Sequence, residues 1–189
     1  MDEYKDRKST RLKNFDYSQN RVYFLTICTV NKKCILSHIV LNLDLQFNRA
    51  DSIQLSRDGF MPIVELTKIG KIVDKYILSI NNVEGVIVDK YVIMPNHIHL
   101  ILAVKNEAYQ SYVDNGINNS ISAIKRSNDM IPHIVSTFKR FCNKEIGENI
   151  FQRSYYDHVV RNNEDYEEIV RYIINNPRRW YLKYRILKR

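Results

Sequence analysis

Two pairs of side chains have spacings that could place them in one reactive site. His97 and His99 are two residues apart in an apolar run that predicts a β-strand, so both imidazoles leave the same face of it. Tyr172 and Asn176 are four residues apart in a predicted helix and therefore share a helix face. Each pair also has an ordinary interpretation, because interior or surface histidines are common and a tyrosine often packs at the edge of a helix. From spacing alone, both interpretations stay open.

A divalent cation would connect the two pairs chemically. A tyrosine phenol has an ordinary pKa of about 10 and is a poor nucleophile at neutral pH, but a nearby cation lowers the cost of the phenolate. The same cation withdraws charge from a phosphate, so that attack would leave a covalent phosphotyrosine. Two imidazoles and one amide oxygen leave open coordination positions and favour Mg²⁺ or Mn²⁺ over a closed structural zinc site. Hydrolysis by water would instead favour a carboxylate-rich two-metal cluster, and none is convincingly spaced.

The histidines require a hairpin to position them. Strands are predicted over Val86–Met94 and His97–Val104, and the pair Pro95-Asn96 between them is typical of a tight turn. Both histidines then lie near one end of the second strand, where a ligand could approach.

The tyrosine and the asparagine require the last helix. This helix is predicted to begin at Asn162 or Asn163, where either residue can cap it, and to stop at Pro177. Tyr172 and Asn176 flank its apolar stripe, which consists of Tyr166, Ile169, Val170 and Ile173.

The remaining elements predict an α+β sandwich. A central strand is predicted over Val22–Val30, and amphipathic helices over Leu66–Ile80 and Ile131–Cys142. Further short strands are expected within residues 39–65, whereas residues 105–129 are assigned no firm structure. The order strand, helix, hairpin, helix, helix predicts an antiparallel sheet on one side with helices packed on the other.

Length and charge indicate one basic domain over residues 1–189. The apolar content of 44% is sufficient for a single buried core. The net charge of +8 and the isoelectric point near 9.3 favour a polyanionic partner, with nucleic acid as the leading class. Residues 1–20 form a basic arm that is either solvated or ordered on phosphate, and residues 178–189 are expected to be a basic tail.

The cysteines and the hydropathy pattern favour a cytoplasmic protein. Cys28, Cys34 and Cys142 are odd in number and lack Cys-x-x-Cys spacing, which disfavours a disulfide scaffold or a thiolate zinc site. No signal-type apolar segment and no stretch long enough to span a bilayer is recognised, so no membrane partner is expected.

The predicted hairpin closely resembles a family signature. Tyr91-Val-Ile-Met-Pro-Asn-His-Ile-His-Leu-Ile-Leu102 is similar to the His-hydrophobic-His (HUH) motif of insertion-sequence transposases that use one tyrosine, especially their REP-associated tyrosine transposase branch. Further segments resemble this family in the same order and cover most of the chain: Arg7–Ser18, Tyr23–Thr29, Ile134–Lys139, Gln152–His158 and Arg171–Pro177.

The resemblance implies a role for each paired side chain. It implies that His97, His99 and Asn176 bind a divalent metal ion, Mg²⁺ or Mn²⁺, and that Tyr172 is the nucleophile. The implied substrate is single-stranded DNA that bears a hairpin, cleaved and transferred through a 5′-phosphotyrosine with a free 3′-hydroxyl. The implied fold is a ferredoxin-like, RRM-like sandwich.

Other side chains receive auxiliary expectations. DNA contacts are expected from basic residues in the arm and on one helix: Arg7, Lys8, Arg11, Lys13, Lys139, Arg140 and Lys144. His158 would assist protonation of the leaving oxygen or serve as a packed or capping histidine. Tyr155 and Tyr156 lie in a family-like segment and are alternative nucleophiles.

Two other functions remain as alternatives. The first is a non-catalytic single-stranded nucleic-acid-binding protein on the same fold, which would use stacking and basic contacts only. The second is a metal-dependent phosphodiesterase in which both histidines activate water. The family resemblance leaves both a monomer and a homodimer open.

Overall fold

The computed structural model of the protein describes residues 21–41, 62–105 and 120–186. The elements follow the chain in this order: β1 (Arg21–Cys28), β2 (Ser37–Val40), β3 (Ile63–Leu66), α1 (Lys68–Ser79), β4 (Val86–Met94), β5 (His97–Val104), α2 (Ser120–Ile146), β6 (Tyr156–Val159) and α3 (Asn163–Ile186). Short 3-10 turns occur at Val30–Lys32 and Ile80–Asn82. The expected basic arm, residues 1–20, lies outside the described residues, as does most of the region 39–65.

Four strands form one antiparallel sheet in the spatial order β4-β5-β1-β6. Because α1 lies between β1 and β4 in the chain, and α2 between β5 and β6, the succession is the βαββαβ arrangement of ferredoxin-like folds. The predicted α+β class and antiparallel sheet are confirmed. β2 and β3 pair with each other in a separate two-stranded sheet.

The β4–β5 hairpin has the bounds that the sequence predicts. Met94 pairs with His97 across the two-residue turn, and the register continues to Val86 opposite Val104 with one irregularity between Val88 and Lys90. β5 is an interior strand, since β4 and β1 pair with its two edges. The histidines are therefore fixed by backbone hydrogen bonds on both sides.

Helices cover both faces of this sheet. On one face, Leu25 of β1 and Leu100 of β5 belong to a core with Val73 of α1 and Phe138 of α2. The sequence prediction put the helices together on one face, which holds for α1 and α2 only. α3 lies on the opposite face, where the apolar stripe of its first turns packs on β5 and its neighbours: Ile101, Ile169 and Ile173, with Val22, Phe24, Val92, Val160, Tyr166 and Val170 around them. The reason is that β1 and β5 are apolar on both faces.

α3 continues through Pro177 to Ile186, so the predicted stop at Pro177 is wrong. Residues 178–186, expected to be part of a basic tail, are the last turns of α3. A proline removes one backbone donor and opposes a helix interior. Here Pro177 is buried, and the ring of Trp180 in the next turn lies 5.9 Å from that of His97, so packing maintains the helix.

α2 also differs from its predicted extent. It begins at Ser120, within the region 105–129 that was assigned no structure, and it contains Pro132. Its apolar residues from Ile131 onward pack on the sheet as expected.

Candidate active site

β5 presents His97 and His99 on the sheet face that α3 covers. Their Nε2 atoms are 3.1 Å apart, and the two rings meet edge to face with centroids 4.6 Å apart. His99 is only 4% exposed, whereas His97 is half-buried. The predicted common face is observed, and both Nε2 atoms converge on one point.

Each imidazole is held at its other nitrogen. Asn96 Oδ1 lies 2.7 Å from His97 Nδ1, and the amide nitrogen of Asn96 donates to the carbonyl of Lys32 at 3.2 Å. This network makes Nδ1 of His97 the donor and leaves its Nε2 available. Thr26 Oγ1 lies 3.0 Å from His99 Nδ1. Such contacts orient histidines whose second nitrogen binds a metal.

Burial keeps both imidazoles in the neutral form. Desolvation lowers the pKa of His97 to about 4, against an opposing hydrogen bond with Asn176 and with help from the charge of Lys32. Desolvation also lowers the pKa of His99 to about 3, and the neighbouring His97 adds to this. Neutral imidazoles are the form that binds metal ions.

α3 brings Tyr172 and Asn176 to the same point. The rings of Tyr172 and His99 have centroids 5.0 Å apart at 69°, and the phenol remains 36% exposed. Asn176 is 7% exposed, and its side chain acts on His97 by opposing the lowering of the pKa of that imidazole. Phe24 of β1 stacks on His99 at 5.3 Å and meets the edge of Tyr172 at 6.1 Å. The structure thus joins the four residues that the sequence singled out.

The donor set fits one small divalent cation. Adjacent ligands of an octahedral ion, each about 2.0–2.1 Å from it, lie roughly 2.8–3.0 Å apart, and the two Nε2 atoms are 3.1 Å apart, close to that separation. Within the described part of the chain, no group of three or more His, Cys, Asp or Glu side chains is arranged to hold a metal. Asn176, buried beside His97, has an amide oxygen of the kind that could supply a third ligand.

The hairpin turn before His97 is clamped by the segment after β1. Asn96 O accepts hydrogen bonds from the backbone N–H and the hydroxyl of Thr29, both at 3.0 Å. Pro95 O accepts from Leu36 N at 3.0 Å. Thr29 is fully buried, so the turn is held as firmly as a core segment.

Two residues near the site were missed by the sequence analysis. The guanidinium of Arg179 lies 5.6 Å from the ring centroid of Tyr172, seven residues along the same helix face. Trp180 lies against His97 and stacks on Tyr184 with ring centroids 4.5 Å apart. Both belong to the segment that was predicted to be a tail. Their position beside the site becomes evident only if the helix continues past Pro177.

His158 is engaged by α3. Its Nε2 lies 2.9 Å from the Asp165 carboxylate, which also accepts from the backbone N–H of Arg161. The hydrogen bond from His158 is the main reason that the pKa of Asp165 lies below its ordinary value. The pair ties β6 to the first turn of α3, where Asn162 accepts from Asp165 N as the predicted cap.

The remaining predicted residues lie elsewhere. Lys139 of α2 donates to the carbonyls of Gln152, Arg153 and Ser154, while Arg140 and Lys144 are exposed on the same helix. Tyr155 packs against the core on the opposite sheet face, and Tyr156 is 65% exposed on β6. Arg7, Lys8, Arg11 and Lys13 fall outside the described residues.

A comparison with known proteins identifies a relative. A protein of Haemophilus influenzae (strain ATCC 51907 / DSM 11121 / KW20 / Rd), described as an uncharacterized protein, is 30% identical over 184 residues, which cover 92% of this chain and 89% of the relative. The chain belongs to the same family as this protein. The likeness spans most of the length of both family members. No model of a known protein family matches the chain.

Two solved structures are similar at low sequence identity. One is described as a REP-associated tyrosine transposase bound to a REP hairpin, with a TM-score of 0.44, 17% identity, and coverage of 95% of this chain and 74% of that chain. The other is a candidate transposase from Deinococcus radiodurans R1, with a TM-score of 0.33, 17% identity, and coverage of 87% and 97%. The functional proposal therefore rests on this chain's own residues. Among the described residues, no helix is both long enough and apolar enough to cross a membrane.

Proposed function

We propose that the protein cleaves single-stranded DNA and transfers the cut strand, with Tyr172 as nucleophile and a divalent cation, Mg²⁺ or Mn²⁺, on His97, His99 and Asn176. One observation carries the proposal: a half-exposed phenol packs against the imidazole of buried His99, and the Nε2 atom of His99 lies 3.1 Å from that of half-buried His97. A purely structural histidine pair would need neither two neutral imidazoles with facing Nε2 atoms nor a half-exposed phenol packed against one of them.

The proposed reaction exchanges one ester bond at a backbone phosphorus for another. Tyr172 Oη forms a bond to a backbone phosphorus while the bond from phosphorus to the 3′-oxygen breaks. The phenol loses its proton, the departing 3′-oxygen gains one, and a 5′-phosphotyrosine is left. A bound cation would polarise the phosphate and lower the cost of the phenolate. Attack by another 3′-hydroxyl reverses the step and joins a different strand.

The neighbours of Tyr172 support this role. Phe24 and His99 both pack against the phenol ring, which keeps it beside an imidazole that would bind the cation. Arg179 lies over the ring, and its positive charge favours both the phenolate and a nearby phosphate. The net charge of +8 favours binding of a nucleic-acid backbone.

A hairpin-bearing single strand is the proposed substrate class. The resemblance of Tyr91–Leu102 and of Arg171–Pro177 to one-tyrosine transposases supports this choice, as does the partly exposed Tyr172 phenol beside Arg179. The basic residues of the arm and of α2 are the proposed contacts to the DNA backbone.

Adduct formation tests the function directly. The full chain is incubated with Mn²⁺ and a labelled single-stranded DNA hairpin, and a covalent complex is sought on a denaturing gel. The wild type forms the complex, whereas Tyr172→Phe and wild type in EDTA do not. Tyr156→Phe is the matched control, since this exposed tyrosine on β6 is predicted to leave the complex intact.

An unchanged complex with Tyr172→Phe contradicts the assignment of the nucleophile. DNA binding that ignores EDTA and survives His97→Ala, with no complex in any protein, instead supports the non-catalytic binder. Turnover without a complex supports the phosphodiesterase.

A further inference from the structure

Three aromatic rings lead from the candidate active site to the outer end of α3. The ring of Trp180 lies 5.9 Å from that of His97, and Tyr184 stacks on Trp180 with centroids 4.5 Å apart and 30° between the planes. Tyr184 is 40% exposed. Of the stacked pair Trp180 and Tyr184, Trp180 therefore contacts the candidate site and Tyr184 contacts solvent.

The pair does not belong to the core of the fold. Neither ring belongs to the two clusters of buried residues described for the sheet faces. The exposed side chains of Arg179 and Lys183 flank the pair, and the sequence has no acidic residue from Arg178 to its last position. Aromatic surface beside positive charge, in a stretch of sequence without acidic residues, complements a nucleobase attached to a phosphate.

We propose that Trp180 and Tyr184 form a stacking platform for a nucleobase of the single strand that is cleaved at Tyr172. The base stacks on the exposed ring of Tyr184 and extends the series, while Arg179 and Lys183 contact neighbouring phosphates. The identity of the ligand rests on the proposed function, but stacking itself requires neither a metal ion nor attack by Tyr172.

Binding without metal tests the platform. Full-length protein in EDTA is titrated into a fluorescein-labelled 12-nucleotide oligothymidine, and into a 12-nucleotide strand of abasic sites that has the same phosphates. Tyr184→Leu is expected to weaken oligothymidine binding by at least about fivefold and to leave binding of the abasic strand unchanged, because only the former has bases to stack. Tyr184→Phe is expected to restore the affinity.

Trp180 supplies an independent signal, since it is the only tryptophan in the sequence. Its fluorescence is expected to be quenched by oligothymidine more than by the abasic strand, because Tyr184 and the base stack in series on the indole. The matched control is Phe141→Leu on α2, where a 42%-exposed ring stacks on Tyr76 at 5.7 Å on the other side of the sheet. This variant is expected to bind oligothymidine as the wild type does.

Wild-type affinity in Tyr184→Leu, equal losses for both strands, or absence of oligothymidine binding by the wild type would each overturn the platform. If the base-dependent loss occurs while the wild type forms no covalent complex, the cleavage proposal fails and the platform stands. If the complex forms with unchanged base dependence, the platform alone fails.

Discussion

At the scale of single residues, the candidate site depends on side chains far apart in the sequence. The spacing of His97 and His99 on a strand, and of Tyr172 and Asn176 on a helix, predicts each pair separately. Nothing in the local sequence shows that Phe24 packs against both His99 and Tyr172, or that Thr26 contacts His99, because these contacts depend on strand register and on the placement of α3. The sequence therefore predicts the participants of the site and misses the residues that hold them.

Thr26 is expected to orient His99 for metal binding. Thr26→Val removes the hydroxyl that lies 3.0 Å from His99 Nδ1 while keeping the shape of the side chain. We expect Mn²⁺ affinity, measured by calorimetry, to fall about 10–100-fold. Thr26→Ser retains the hydroxyl and should bind Mn²⁺ much as the wild type does; an equal loss in both variants would count against this role.

Arg179 is expected to accelerate formation of the covalent complex. Its guanidinium lies over the Tyr172 ring, where its positive charge would favour a phosphate bound beside the phenol. Arg179→Gln should slow the single-turnover rate about tenfold to hundredfold, and Arg179→Lys should recover part of this. The control is Arg171→Gln, an exposed arginine paired with Glu167 on the same helix. Equal slowing in the two glutamine variants would show a general effect of charge.

At the scale of elements, long and strongly patterned segments were the predictable ones. β4 and β5 have their predicted bounds because a two-residue Pro95-Asn96 turn separates two apolar runs. β6 was missed because its four residues, Tyr156–Val159, are mostly polar and form an edge. The predicted end of α3 at Pro177 was wrong. Proline disfavours a helix interior, but the packing of Trp180 on His97 outweighs that preference here.

The start of α1 gives a test of the fold that is independent of function. Thr67 caps this helix by accepting a hydrogen bond from Gly70 N at 3.0 Å. Its hydroxyl also donates to the carbonyl of Ile35, just before β2. Thr67→Ala should lower the free energy of unfolding by about 1 kcal/mol in urea titrations.

Gly70→Ala should be more damaging than the loss of the cap. A β-carbon at this position would lie 2.0 Å from Leu36 O, which is backbone and cannot rotate away. We expect a loss of about 1–3 kcal/mol or more. Lys71→Ala, an exposed change one residue further on, should remain within about 0.5 kcal/mol of the wild type. A stable Gly70→Ala protein would contradict the close approach of α1 to Leu36.

At the scale of the whole molecule, the sheet has a core on each face, and the two serve different purposes. The larger core under α1 and α2 is purely apolar packing, whereas the smaller one under α3 borders the candidate site. The nearly continuous apolar run of β1 predicts a strand covered on both faces, because Val22 and Phe24 are apolar as well as Tyr23 and Leu25. The face that each helix covers could not be predicted, since it depends on how the chain connects.

Two of the three cysteines differ in burial and can test whether α2 covers the sheet. Cys142 lies on α2 and is fully buried in the core against the sheet, and burial raises the pKa of its thiol to about 12. Cys34 is exposed. Thiolate is the reactive form, so at pH 9 iodoacetamide should modify Cys34 rapidly and Cys142 only after unfolding, as followed by mass spectrometry. Rapid modification of native Cys142 would show that α2 does not cover the sheet as described.

The clamp on Pro95-Asn96 limits how this protein can be engineered. Two-residue hairpin turns are usually chosen for inserting peptide tags or protease sites, because such loops project into solvent. Here the turn is bonded to Thr29 and Leu36, and Asn96 itself orients His97. Tags and cleavage sites should therefore be placed elsewhere, since even a short insertion here would displace both imidazoles together.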